Sequence, residues 1–150
     1  MKKLFCTIIM ILLMTTPVYA DSGLISVKSS HDVKTTADRL ENSLQQKGMT
    51  VFIRINHAQS AQKIGKELRP TELIIFGNPN VGTPLMQCRQ SVAIDLPQKA
   101  LIWQDAQSQV WLSYNDPNYL VERHQITGCE AVINKIAKAL GNFANAATKP

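Results

Sequence analysis

Apolar and polar positions alternate along this chain with two different periods. Val33, Ala37, Leu40 and Leu44 recur at helical spacing, with charged residues between them, so residues 33–47 are predicted to form an amphipathic helix. Asp32 stands ahead of it as an N-cap and Gly48 behind it as a stop. Residues 50–55 (TVFIRI) and 73–76 (LIIF) are β-branched and aromatic and read as strands, the second continuous enough to be central. Pro79 cannot donate to a ladder, so that strand ends by Asn78. Residues 23–29 give another short β-like run, and a short helix follows the second strand over 60–68.

Further on, Thr83-Pro84 reads as a helix start, giving a short helix over 84–89. Residues 100–104 and 109–114 read as strands joined by Asp105-Ala106-Gln107-Ser108, a hairpin. Asp116-Pro117 opens a helix over 117–124. Thr127 and Glu130 form a capping box for a last helix whose apolar face is Val132, Ile133, Ile136 and Leu140. Residues 144–150 read as a flexible tail. Five strands with helices that can cover one face predict an α+β domain over 21–143.

The first twenty residues stand apart. Lys2 and Lys3, the apolar run Leu4–Met14 and the small-residue ending Val18-Tyr19-Ala20 match a secretory signal peptide cleaved after Ala20. The run is about half the roughly 20 residues of a membrane span, and no later stretch approaches that length. The expected location is therefore periplasmic or secreted, with no membrane span after signal removal. Without Lys2 and Lys3 the formal charge of +5 falls to +3. The other basic residues are scattered, with no stripe interleaved with aromatics, so nucleic acid is not an expected partner. Two cysteines remain, Cys88 and Cys129. An even count in an oxidising compartment fits a disulfide, worth about 4 kcal/mol across such a loop. Two unconnected buried thiols, or a redox pair, are the alternatives.

Candidate chemistry is sparse. Gly77 and Gly82 are spaced like the glycines of a nucleotide loop, but Thr83-Pro84 stands where Lys-Ser or Lys-Thr is required. The loop reads as a corner, or as a place where amides near Thr83 hold an anion or polar ligand. His57, at a strand end beside Asn56, is the leading candidate for a base, a hydrogen-bond donor or a metal ligand. His31 and His124 flank helices, and His124 complements a helix dipole. No two histidines have ligand spacing and there is no Cys-x-x-Cys, so neither a metal site nor a cofactor is expected. Ser91 and Ser113 lack a nucleophile motif, and Asp95 is plausible polar lining. Trp103 and Trp111 read as sheet packing. Tyr114, at a strand end, is the aromatic expected to face a site.

Asn56-His57-Ala58, Leu73-Ile74-Ile75-Phe76-Gly77-Asn78-Pro79, Gly82-Thr83-Pro84-Leu85-Met86, Ala93-Ile94-Asp95-Leu96-Pro97 and Val110-Trp111-Leu112-Ser113-Tyr114 together resemble a small bacterial and archaeal family, domain of unknown function 302. The likeness runs from about Gly23 to Leu140. The family commonly has Asp where this chain has Asn56, and Cys88 and Cys129 lie outside its motif. The resemblance implies a curved, mainly antiparallel five-stranded sheet with helices on one face, similar to TATA-binding-protein-like folds, and no established activity. The expected function is a module binding a small ligand or a protein partner, its cleft lined by His57, Asn78, Thr83 and Tyr114. A homo-oligomer through an exposed sheet edge is compatible. The alternatives are an enzyme using His57 and a thiol–disulfide protein using Cys88 and Cys129.

Overall fold

The computed structural model describes residues 23–150, so the expected signal peptide lies outside the described residues. Strands β1 (Leu24–Lys28), β2 (Thr50–Asn56), β3 (Thr71–Gly77), β4 (Gln98–Gln104) and β5 (Val110–Asn115) form one antiparallel sheet in the order β1-β5-β4-β3-β2. The helices are α1 (Val33–Gln46), α2 (His57–Lys63), α3 (Pro79–Cys88), α4 (Pro117–His124) and α5 (Glu130–Thr148), with a 3-10 turn at Gln90–Ile94. The five-stranded α+β architecture expected from the sequence is the one found.

Alternation along the strands sets one layer of the core. Ile74, Phe76, Ala100, Ile102, Leu112 and Tyr114 point to the same face and are buried. Helix α1 presses Ala37, Leu40 and Leu44 onto that face, and α5 adds Ile136, Leu140 and Phe143. Phe143 meets Phe76 edge-on, with ring centroids 6.4 Å apart, an arrangement that suits the ring quadrupoles. Because β1 and β2 are the two edge strands, α1 must cross the whole sheet to join them.

Four local expectations change. Helix α2 spans His57–Lys63 rather than 60–68, because Asn56 caps it directly at the end of β2. Helix α3 begins at Pro79, not at Pro84: Asn78 is the cap, its Oδ1 accepting from the Asn80 amide at 2.9 Å. Pro84 sits inside the helix, where its ring removes one backbone bond. Helix α5 begins after Cys129 without a side-chain cap; Gly128 takes φ +75°, and Glu130 accepts from the Gly128 amide rather than closing a box with Thr127. The residues expected as a flexible tail continue α5 to Thr148, with Ala144, Ala147 and Thr148 buried. The reason is long-range. The Arg39 guanidinium donates to the carbonyls of Ala146, Ala147 and Lys149, and the His31 ring is 2.9 Å from the Lys149 carbonyl. A cation and donors thus satisfy the orphan carbonyls at the helix end.

One buried carboxylate was not anticipated. Glu72 lies on the helix-covered face of β3, 6% exposed, and accepts from Arg54 Nε on β2 at 2.5 Å. Arg54 Nη1 also reaches Asp38 and Glu41 of α1. Burial works against the guanidinium charge, but the bonds from Glu72 and Asp38 outweigh it and raise the Arg54 pKa above its ordinary value. Arg54→Met strands the Glu72 carboxylate and is expected to destabilise the fold by about 3 kcal/mol in urea titration. Arg54→Met with Glu72→Leu is expected to recover most of that loss. Equal loss in the single and double variants would contradict this role for the pair.

Candidate functional site

Where β3 ends, α3, the start of β4 and the second half of α5 do not close completely. They leave a cavity of about 310 Å³. Phe76 forms its floor and Met86, Leu96, Leu140 and Phe143 its walls. Local sequence explains the opening. The Asn78 cap turns the chain away from the sheet directly after Gly77, and Asn78 Nδ2 donates to the Gly48 carbonyl at 2.9 Å, fixing the corner to the turn before β2. A Cβ at Gly77 would lie 3.3 Å from the Phe52 ring and 3.4 Å from Pro97, so glycine allows that ring to pack against the backbone.

Polar groups at the cavity are few. Asn78, Thr83 and Gln98 line it. The Gln98 Nε2 is buried with no hydrogen-bond partner among the described residues. Apolar walls with a few polar groups are the usual makeup of a small-molecule site. An anion held by amides near Thr83 does not fit this geometry, since Thr83 sits inside α3 and not at its start.

The four residues expected to share a cleft are divided. Asn78 and Thr83 line the cavity; His57 and Tyr114 do not. Antiparallel register accounts for His57. Thr50 faces Gly77 and Asn56 faces Glu72, so His57 and Asn78 stand at opposite ends of the sheet. Asn56 caps α2, accepting from the Gln59 amide at 2.7 Å, and His57 is the first residue of that helix, half-buried. Tyr114 points into the core between Ile25 and Ala100, 6% exposed, and burial pushes its phenol pKa up.

A second polar constellation was missed. The buried His124 ring is 2.6 Å from Asp95 Oδ2 through Nε2 and 3.0 Å from Ser91 Oγ through Nδ1. Arg123 Nη1 lies 3.4 Å from the other Asp95 oxygen. Ser91 is exposed on the 3-10 turn and Asp95 follows the turn's last residue, while His124 ends α4. These residues are 29 and 33 positions apart, and no local motif joins them. Only the docking of α4 beneath the turn does so.

Cys88 ends α3 and Cys129 precedes α5; the structure sets their sulfurs within bonding reach, with Cα atoms 6.5 Å apart. Among the described residues no helix is long and apolar enough to cross a membrane.

Comparison with known proteins gives a family and relatives for the chain. The chain is 47% identical over 106 residues to the fluoride-specific ion channel FluC 1 of Brucella suis biovar 1, covering 71% of this chain and 42% of that protein. Fluoride-specific ion channel FluC 1 of Brucella abortus matches equally well over 39% of its length. The chain thus spans about two fifths of the length of the curated relatives it matches. The crystal structure of an uncharacterized conserved DUF302 protein from Bacillus stearothermophilus superposes with a TM-score of 0.76, at 21% identity, covering 85% of this chain and 99% of that one. The family model for the domain of unknown function DUF302 matches residues 25–143, and the chain belongs to that family.

Proposed function

We propose that this protein is an exported binding module that holds a small, mainly apolar ligand in the cavity between β3, α3 and α5. The observation that supports it most is the cavity itself, about 310 Å³ and walled by both layers of the fold. Burial of apolar ligand surface supplies the affinity, and Asn78, Thr83 and Gln98 orient a polar group. Export rests on the charged, apolar and small-residue order of the first twenty residues. In the Brucella proteins the region like this one makes up about two fifths of the chain. We read it there as a domain attached to the channel portion, since no described helix here is a membrane span.

The fluorescent probe 8-anilinonaphthalene-1-sulfonate tests the cavity. Ala139 lines it from α5, and Ala139→Phe places a ring in the space. The probe is expected to bind the natural protein and to bind the variant at least tenfold more weakly, with unchanged helix content by circular dichroism. Unchanged binding by a folded variant would place the ligand elsewhere.

Cys88 and Cys129 serve this module as a structural disulfide rather than a redox pair, tying the end of α3 to the start of α5. The denatured, unreduced chain is then two protons lighter than the reduced one; two free thiols in protein from its native compartment would refute the assignment.

The hydrogen-bonded line Ser91–His124–Asp95 favours a second reading, a serine-dependent hydrolase. With Nε2–H donated to Asp95, Nδ1 of His124 is free to accept the Ser91 proton as Oγ attacks an ester carbonyl. The proton then leaves with the alcohol, and water repeats the sequence on the acyl-serine to release the acid and restore Ser91. Incubation with a fluorophosphonate is expected to give one adduct, absent in Ser91→Ala and in His124→Gln. No adduct on the natural protein would eliminate this reading.

A further inference from the structure

The strands of this sheet are apolar on both sides. An antiparallel sheet with one face in water normally alternates apolar inward with polar outward. Here the face away from α1 and α5 carries Ile53 and Ile55 from β2, Leu73 and Ile75 from β3, and Leu101 from β4. Trp103 and Trp111 stand opposite each other on β4 and β5 and extend it. Ile53 is 49% exposed and the others are half-buried.

The polar groups at the centre of this face are satisfied within the chain, and Asn115 lies at its margin, at the end of β5. Trp103 Nε1 donates to Ser113 Oγ at 3.0 Å, and Trp111 Nε1 donates to Asp105 Oδ2 at 2.8 Å. Ser113 Oγ and Ser26 Oγ are 2.7 Å apart, and Thr71 Oγ1 donates to the Arg69 carbonyl. The Lys99 ammonium turns off the strand to the carbonyls of Asp95 and Pro97. Lys28, on edge strand β1, lies at the rim. The strands bring no carboxylate to this face. Covering the centre would leave no orphan donor and no buried charge there, while Lys28 and Asn115 stay at the rim, so the usual cost of burying polar groups is small.

We infer that this face is the interface of a symmetric dimer, the sheets of two copies packed face to face. Size selects the occupant. Five strands about 4.8 Å apart and about seven residues long make a face of roughly 24 by 22 Å, about 500 Å² before side-chain relief is counted. A stable complex buries about 800 Å² per partner, so this face supplies most of such an interface. A helix about 10 Å across would cover less than half its width. A second twisted sheet matches it in extent, and paired sheets pack about 10 Å apart with interleaved side chains. A two-fold axis needs only one self-complementary patch, and a face without charge at its centre meets no like-charge repulsion from its own copy. The interface lies on the sheet's open face, not along the edge strands, and on the side opposite α5, so it is independent of the cavity.

Sedimentation equilibrium of the full chain at about 10 μM tests it. The natural protein is expected at twice the chain mass. Leu101→Glu puts a charge at the centre of the face and is expected to weaken the dimer at least a hundredfold, giving single chains with unchanged circular dichroism. Leu73→Lys replaces it if Leu101→Glu does not fold. A natural protein at the single-chain mass up to 100 μM would overturn the inference, as would a dimer that persists at full strength in a folded face variant.

Discussion

The rest of this structure depends on two long helices sharing one face of one sheet. Helix α1 must cross from edge strand β1 to edge strand β2, and it fills the middle of the face with Leu40 and Leu44. Helix α5 takes the remaining space and is held at its far end by Arg39 of α1. That division covers the β1–β5 side closely and leaves the end of β3 to be closed by a connection rather than a helix pair. The β3–β4 connection is α3 and the 3-10 turn. It bulges because Asn78 redirects the chain at once and Pro84 interrupts the helix. The cavity is the space left under that bulge.

The same connection carries both candidate chemistries. Ala93, Leu96 and Pro97 line the cavity, while Ser91 and Asp95 engage His124 of α4. The segment therefore borders the cavity on one side and is held by a polar line to α4 on the other, with Cys88 ending α3 ahead of the 3-10 turn. A ligand that displaced Leu96 or Pro97 would act on the segment that holds Ser91, so the two readings of function are physically linked although their sites are separate.

Much of the fold was legible because it is local. The spacing of Val33, Ala37, Leu40 and Leu44, the Asp32 and Asp116 caps and the β-branched runs each specify their element without reference to the rest. What was not legible depends on contacts across the chain. Helix α5 extends past Leu140 because Arg39 caps it from more than a hundred residues away. Glu72 sits in an apolar strand because Arg54 lies opposite its neighbour in the register. At the cavity, Asn78 lies where the Gly-Asn-Pro corner marked the end of a strand, and Thr83 falls inside α3 rather than at its start. His57 was misplaced because a strand-end position does not say which end of an antiparallel sheet it occupies. His124 was read as a dipole partner because Ser91 and Asp95 are remote from it in sequence.

The central claim, that the cavity is a place for a ligand, meets its most direct test in native mass spectrometry of protein taken from its native compartment without refolding. The account predicts extra mass on the chain that departs on denaturation, and the departing species would identify the ligand. A population carrying no added mass, from gentle purification and at high occupancy of folded protein, would contradict it and leave the cavity as a packing defect of the β3–β4 connection.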